Sequence, residues 1–201
     1  MTRYAGTEAV IVGAASDIGL AIAKRLVEGG ARVLLTAGTP REHARLRREL
    51  GPAADVVAPG ALGARLAAAG GVDLVFADAV AAVRSLAPYL RDGGAVVLTV
   101  PAPPTAAPCP VAPSPTAAPC LAPLRPAAAH ALAAELATRG IRVNAVTASC
   151  IAAPSAAAVP LPPLGRLGAA EEVARAALFL ATEATFTTGA RLPVDGGLGH
   201  A

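Results

Sequence analysis

A turn with two glycines, between an apolar run and a helical pattern, is the segment of this sequence best suited to bind a ligand. The turn spans residues 13–19, reads Gly-Ala-Ala-Ser-Asp-Ile-Gly, and follows the apolar run Ala9–Val12. Its first glycine permits a tight turn, and its last lets the helix approach the strand closely. The first N–H groups of the helix can then bind a pyrophosphate at the positive end of the helix dipole. We expect the contacts to come from Gly13, Ser16, Asp17, Ile18 and Gly19.

Asp17 departs from the usual form of such a turn, which carries a glycine at this position. Its carboxylate can cap the helix, but it can also repel a phosphate. On the adenosine side, the second predicted strand ends at Thr36, and residues 37–39 supply no acid to bind a ribose diol. Arg41 follows and can meet a 2′-phosphate. If a dinucleotide binds, we therefore expect NADP(H), with NAD(H) as the weaker alternative.

Strand and helix patterns alternate along the chain. The predicted strands are Glu8–Val12, Arg32–Thr36, Asp55–Val57, Val72–Ala77, Ala95–Val100, Ile141–Val146 and Arg191–Val194; the predicted helices are Ile18–Glu28, Pro40–Leu50, Ala61–Ala69, Val80–Leu90, Ala127–Thr138 and Ala169–Thr182. We expect Gly93-Gly94 to end the fourth helix. The alternation predicts a doubly wound, Rossmann-like α/β domain with a mostly parallel sheet flanked by helices. One domain is expected over residues 1–201, with a Pro/Ala-rich irregular segment at 101–126.

Composition excludes several classes of protein. The chain has 201 residues, a net charge of +3 and 54% hydrophobic residues, which excludes a disordered chain. Four arginines between residues 41 and 48 are interrupted by acids, so we interpret them as a solvated helix face rather than a nucleic-acid surface. The prolines of segment 101–126 exclude a membrane-spanning helix there. We expect no nucleic-acid or membrane partner and a cytoplasmic location.

Metal chemistry is not expected. The three cysteines (Cys109, Cys120 and Cys150) have no metal-ligand spacing, and the three histidines (His43, His130 and His200) fall in unrelated elements. An odd number of cysteines without a signal peptide favours reduced thiols.

Several motifs follow one another in a fixed order in the second half of the chain. They are residues 134–146 (AELATRGIRVNAV), 164–168 (LGRLG), 171–174 (EEVA), 179–181 (FLA), 188–189 (TG) and 193–197 (PVDGG). Together with the glycine turn, they resemble the short-chain dehydrogenase/reductase family, and most closely its 3-oxoacyl-carrier-protein-reductase-like branch. The resemblance implies a Rossmann-like fold, and it implies that Asp55 and Val56 contact an adenine.

The chemistry that this resemblance implies rests on a Tyr-x-x-x-Lys pair and a serine, which this chain lacks. The family's Tyr and Lys would fall near Ala118 and Ala122, whereas the only tyrosines are Tyr4 and Tyr89 and the only lysine is Lys24. Prolines at 119, 123 and 126 also interrupt the helix that such a pair needs. The expected helix therefore starts only near residue 127, and the catalytic residues are unknown.

Other departures concern the cleft. Residues 76–79 read Phe-Ala-Asp-Ala where the family has Asn-Asn-Ala-Gly, and residues 148–149 read Ala-Ser where it has Pro-Gly. Thr99 or Thr105 could offer a hydroxyl. A cysteine of this region paired with His130 could offer a nucleophile. We regard a small apolar role as the more ordinary one for these cysteines.

Four functional hypotheses remain. The first is a catalytically degenerate family member that acts as a non-catalytic subunit or regulator, with residual NADP(H) binding. The second is an NADPH-dependent carbonyl or enoyl reductase with a non-standard proton donor, such as water or a substrate group. The third is a non-redox lyase or cyclase, and the fourth is a decayed or artificial sequence without a selected function. For the first, residues 127–138 and 191–194 would form a homo- or hetero-oligomer with a subunit of the same family.

Overall fold

The computed structural model describes residues 3–14, 16–101, 126–152 and 161–198. Its strands are β1 (Glu8–Ile11), β2 (Arg32–Thr36), β3 (Ala54–Val57), β4 (Val72–Ala77), β5 (Leu90–Pro101), β6 (Arg142–Ala148) and β7 (Arg191–Val194). Its α-helices are α1 (Asp17–Glu28), α2 (Pro40–Leu50), α3 (Leu62–Ala69), α4 (Val80–Leu86), α5 (Pro126–Leu136) and α6 (Ala170–Thr182). Most of the predicted elements are therefore present, several with the expected bounds.

The strands form one seven-stranded sheet in the order β3-β2-β1-β4-β5-β6-β7. Every neighbouring pair is parallel. The central strands are almost wholly apolar because helices cover both of their faces. One buried cluster joins the sheet to α1, α2 and α6, and a second joins its other face to α3, α4 and α5. The prediction of a doubly wound, Rossmann-like parallel sheet is thus confirmed.

Strand β5 is longer than the sequence pattern predicted, and the expected role of Gly93-Gly94 was wrong. The fourth helix ends at Leu86, a 3-10 turn at Ala87–Tyr89 follows, and β5 begins at Leu90. The register between β4 and β5 shifts at a bulge, so that both glycines lie within the strand. Gly94 fits there because an added Cβ would lie 2.7 Å from the carbonyl oxygen of Asp73. Glycine within a strand often marks a bulge, but periodicity alone could not distinguish these glycines from the end of a helix.

The segment 101–126, expected to be irregular, is described only at its two ends. Residue 101 is the last of β5, and residue 126 is the first of α5. Proline is well suited to the first position of a helix, where its missing N–H costs nothing. Residues 102–125 lie outside the described residues. None of the helices in the described part of the chain is long and apolar enough to cross a membrane.

Arg142, the first residue of β6, fixes the last turn of α6 to the sheet. Its guanidinium donates to the backbone carbonyls of Leu180 and Ala184, at 2.7 and 3.0 Å, and also to that of Ala181. These carbonyls belong to the helix end, where no further N–H of the helix reaches them. Burial lowers the pKa of Arg142.

Replacing Arg142 with methionine should lower the free energy of unfolding by about 1–2 kcal/mol, because the variant keeps much of the packing but loses the donors. Urea denaturation followed by circular dichroism measures the change. Arg191→Met, at the exposed first residue of β7, is the matched control and should stay close to wild type. Equal losses in the two variants would show that the helix end does not depend on Arg142.

Candidate functional site

The strand order of the sheet reverses between β1 and β4. Strands β1 and β4 are neighbours, but β1 leads into α1 on one face and β4 leads into α4 on the other. In open α/β sheets a ligand binds outside the carboxyl ends of the strands at such a reversal, so we expect the binding groove at the segments that follow these two strands. The glycine turn follows β1, and Asp78 follows β4. These two segments form the sides of the candidate site, which we call the β1–β4 crevice.

Hydrogen bonds within the glycine turn fix its shape. Ser16 Oγ donates to the carbonyl of Gly13 at 2.9 Å and accepts from the N–H of Gly19 at 3.0 Å, which makes Ser16 the N-cap of α1. Gly13 has φ +82°, in the left-handed region that favours glycine. At Gly19 an added Cβ would lie 2.8 Å from both the Cα of Ala14 and the carbonyl oxygen of Gly13. The structure thus brings together the predicted residues of this turn, including the half-exposed Ile18.

Asp17 is the first residue of α1, where an acid interacts favourably with the helix dipole. Its carboxylate is half exposed and lies 3.4 Å from Nη2 of Arg45 on α2. Arg45 also binds Glu49, with 3.1 Å between its Nε and Oε1. The negative charge that sequence analysis placed at the turn is therefore partly balanced by a neighbouring helix.

An acid that sequence analysis did not place at the end of β2 is brought there by the fold. Glu42 Oε2 accepts from the backbone N–H groups of Gly38 and Thr39, at 2.9 and 3.2 Å. Thr39 Oγ1 accepts in return from the N–H of Glu42, which completes a capping box at the start of α2. Thr36 is buried at the end of β2, and Arg41 is exposed in the first turn of α2. The spacing Thr-x-x-Glu at residues 39–42 is typical of a capping box and could have predicted this contact from the sequence.

Asp55 and Val56 lie in β3, apart from the residues of the glycine turn. Asp55 pairs in register with Leu34, two residues before the end of β2, and its carboxylate forms an ion pair with Arg65 of α3. Val56 is buried, and its carbonyl lies 3.0 Å from Nε2 of His43. Asp55 also lines a cavity of about 540 Å³ near the amino ends of β1 and β2. An adenine contact by these two residues stays a prediction.

Asp78 is the residue of the crevice that sequence reasoning gave no role. Its Oδ2 lies 2.8 Å from the position that a Cβ on Gly13 would occupy, so the carboxyl packs directly against the glycine turn. The side chain is half-buried, and this burial raises the pKa of its carboxyl. The signal in the sequence was its place immediately after a buried strand, although the order of the strands was needed to bring it beside Gly13.

The tyrosines and the lysine of the chain lie outside the β1–β4 crevice. Tyr4 packs beneath Gly29 at the far end of α1, and the Tyr89 hydroxyl lies near Gly63 of α3. Lys24 Nζ lies 2.8 Å from Glu49 Oε2. None of these three side chains replaces the Tyr-x-x-x-Lys pair. The positions where the resemblance places that pair, Ala118 and Ala122, lie outside the described residues.

The other candidate nucleophiles are only partly described. Cys109, Cys120 and Thr105 lie outside the described residues, and Thr99 is half-buried in β5. Cys150 is a buried free thiol after β6, while His130 is exposed on α5 and faces Gly189. No cluster of residues suited to hold a metal ion occurs in the described ranges.

A second cleft, of about 300 Å³, lies between the segment after β6 and the segment after β7. Cys150, Ile151, Pro162 and Leu164 contribute to its wall, together with the ion pair of Arg166 and Glu172. Two hydrogen bonds of 2.7 and 2.8 Å join that pair. These bonds, with a further one from the backbone N–H of Ala169, lower the pKa of Glu172 to about 2.

The low pKa of Glu172 makes a prediction for acid stability. Since the folded-state value lies below the ordinary value of 4.5, its contribution to stability is present above about pH 4.5 and is lost as the pH falls towards about 2. Glu172→Gln should therefore lower the urea midpoint at neutral pH and converge with wild type at about pH 2. Glu171→Gln is the control because Glu171 makes no ion pair among the described residues. A constant difference at every pH would contradict the assignment.

Comparisons with known proteins agree with this geometry. A family model described as "Enoyl-(Acyl carrier protein) reductase" matches residues 124–199. A 3-oxoacyl-[acyl-carrier-protein] reductase of Thermotoga maritima is 45% identical over 76 residues, and an L-fucose dehydrogenase of Bos taurus is 44% identical over 82. The matched stretch is 33% of this chain in both cases, and 31% and 30% of those proteins. It thus spans about a third of the length of these relatives.

Solved structures match over nearly the whole chain. A 3-oxoacyl-[acyl-carrier protein] reductase from Brucella melitensis is 27% identical, with a TM-score of 0.75, over 100% of this chain and 94% of that one. A 3-ketoacyl-(acyl-carrier-protein) reductase from the same organism, complexed with NADH, is 25% identical with a TM-score of 0.73, over 96% and 98%. In its parallel seven-stranded sheet, its glycine turn and its ordered C-terminal motifs, the chain is similar to the short-chain dehydrogenase/reductase family.

Proposed function

We propose that this chain is an NAD(P)H-dependent reductase of carbonyl compounds, with 3-oxoacyl thioesters as the first substrate class to test. The observation that carries the proposal is the β1–β4 crevice, whose turn keeps Gly13 and Gly19 and leads directly into the start of α1. The structural match to the Brucella melitensis reductase over the whole chain supports the same activity. The choice between NADPH and NADH belongs to the proposal.

The residues of the crevice fit a dinucleotide. The short distances around Gly19 show that α1 begins close against the end of β1, and the first N–H groups of a helix have no partner within the helix. We infer that the N–H groups of Asp17 and Ile18 hold the pyrophosphate. Thr36 and Arg41 would contact the adenosine half, where the exposed guanidinium favours a 2′-phosphate and the nearby Glu42 carboxylate opposes one.

A bound reduced nicotinamide would supply the hydride for the carbonyl carbon. The chain's own residues would position the dinucleotide, and the carbonyl oxygen would take its proton from water or from a substrate group. Neither tyrosine supplies that proton, because both pack against glycines outside the crevice. We therefore expect slow turnover, since general acid catalysis typically contributes about 10²–10⁴-fold to the rate.

The test is the consumption of NADPH or NADH, followed by absorbance, with an acetoacetyl thioester as substrate. Substrate-dependent oxidation of either nucleotide with formation of the 3-hydroxy product is the expected result. As a control, Gly19→Val should abolish this activity because the side chain blocks the turn. Binding of the nucleotide without product from a panel of ketones, aldehydes and thioesters would contradict the reductase proposal.

A second candidate, the non-catalytic subunit, is favoured by the alanines at positions 118 and 122. A subunit that pairs with an active relative would keep the fold and lose the catalytic side chains. The half-exposed edge strand β7 and the exposed Phe179 and Phe186 offer a surface for such a partner or for a second copy. Co-expression with an active family member should give a stable hetero-oligomer by size-exclusion chromatography. Recovery of separate species only would contradict this candidate.

A further inference from the structure

Asp78 lies where an anion bound to the glycine turn would meet it. Its Oδ2 is 2.8 Å, and its Cγ 3.1 Å, from the Cβ position of Gly13. The carboxyl therefore lies against the turn that leads into the first N–H groups of α1. A pyrophosphate bound to those N–H groups would lie close to the Asp78 oxygens, because the crevice has Asp78 on its other side.

The surroundings of Asp78 make its carboxyl easier to protonate than an exposed one. Burial is the main influence on this carboxyl and raises its pKa, and only the residue's own backbone N–H acts in the opposite direction. The charged groups on the helices beside the crevice are engaged elsewhere. Asp17 of α1 lies 3.4 Å from Arg45, and Arg84 of α4 lies 3.4 Å from Glu135. Neither Asp17 nor Arg84 is among the groups that shift the pKa of Asp78.

A charged and a neutral Asp78 would have opposite effects on a pyrophosphate. The carboxylate would repel it at short range in a partly desolvated groove. The carboxylic acid would donate a hydrogen bond to a phosphate oxygen, and bonds of this charge-assisted kind are short and strong. An added negative charge also favours protonation of a neighbouring carboxyl.

We propose that Asp78 binds the pyrophosphate of the dinucleotide as a neutral carboxylic acid, so that each binding event takes up one proton from solvent onto its carboxyl. This inference rests on the proposed function. It makes Asp78 a positioning residue whose protonation limits affinity. The dissociation constant for NADH or NADPH should then rise about tenfold per pH unit above the pKa of Asp78.

The test is calorimetric titration of the full chain with NADH and with NADPH, at about pH 6 and about pH 8. Each titration is repeated in two buffers of different ionisation enthalpy, because the dependence of the heat on the buffer counts the protons taken up. Wild type is compared with Asp78→Asn, which keeps the shape of the side chain and donates without titrating. Asp92→Asn is the matched control, since Asp92 is an exposed partner of Arg139 on another surface.

We expect wild type to take up about one proton per nucleotide at about pH 8, and Asp78→Asn to take up none. Asp78→Asn should also bind at least about tenfold more tightly than wild type at the higher pH, whereas Asp92→Asn should behave like wild type. Circular dichroism checks that each variant is folded. If Asp78→Asn does not fold, Asp78→Ala serves instead, because it also removes the titrating group.

The remaining outcomes overturn the inference in different ways. If folded Asp78→Asn or Asp78→Ala binds the nucleotide more weakly and wild type takes up no proton, then Asp78 is a charged hydrogen-bond acceptor, for example of a ribose hydroxyl. Proton uptake that is lost in Asp17→Asn and kept in Asp78→Asn would place the proton on the other acid. If wild type binds the nucleotide without taking up a proton, this inference is wrong and the proposed function is not affected. Absence of binding by wild type and both Asp78 variants would overturn the proposed function together with it.

Discussion

Phe76→Ala is expected to lower the free energy of unfolding by about 3–5 kcal/mol, because it leaves a large cavity in the centre of the sheet. Phe76 is 1% exposed and belongs to the largest fully buried side chains of the described residues. It lies in β4, in register with Ile11 of β1 and Val97 of β5. These neighbours are held by strand pairing and cannot easily move to fill the space.

The measurement is urea denaturation followed by circular dichroism, with Phe186→Ala as the matched control. Phe186 has a relative exposure of 105%, so its truncation should change the free energy of unfolding by less than about 0.5 kcal/mol. A loss below about 1 kcal/mol for Phe76→Ala would contradict the packing described for this part of β4. Because both variants lose a phenyl ring, the difference between their free energies of unfolding measures the contribution of burying the ring.

Gly19→Ala is expected to weaken nucleotide binding by at least about tenfold and to lower the free energy of unfolding by about 1–3 kcal/mol. Its Cβ would lie 2.8 Å from two backbone atoms, the Cα of Ala14 and the carbonyl oxygen of Gly13. Backbone atoms cannot rotate away as the end of a side chain can. The start of α1 would therefore move away from β1, and its first N–H groups would move with it.

Gly60→Ala is the matched control for Gly19→Ala. An added Cβ at Gly60 meets no atom within 4 Å, so the change is the same methyl group without a clash. Titration with NADPH and NADH measures binding, and urea denaturation measures stability. Wild-type affinity in Gly19→Ala would show that the close approach of helix and strand is not needed. A loss of stability without a loss of affinity would place the nucleotide elsewhere.

Sequence periodicity predicted most of the fold because, in most elements, the apolar pattern and the residues at the ends indicate the same helix or strand. Strand β2, helix α2 and strand β7 have the expected bounds, since apolar runs and caps coincide at their ends. Strand β5 was the main departure. After Leu90 it continues with Arg91, Asp92, Gly93 and Gly94, and a bulge against β4 lies in this stretch. Pairing between strands distant in sequence decides such a segment, and local pattern does not contain that information.

The candidate site was predictable where it is local and unpredictable where it is formed across the sheet. The glycine turn itself was predicted from local sequence, although the cap of α1 that was assigned to Asp17 is provided by Ser16, one residue earlier. The contact between Asp78 and Gly13 joins residues far apart in sequence and depends on β4 lying beside β1. The contact of Arg45 with Asp17 likewise depends on how α2 packs beside α1.

The position of β7 has a consequence for the exchange of amide hydrogens with solvent. Residues 95–98 of β5 are paired with both β4 and β6 and are buried, so their amides should exchange only when the whole domain unfolds. Strand β7 is paired with β6 on one edge in the described part of the chain, and its side chains are half exposed. Its amides should take up deuterium through local opening. Slow uptake at β7 in a concentrated sample, and faster uptake on dilution, would therefore reveal an association along this edge.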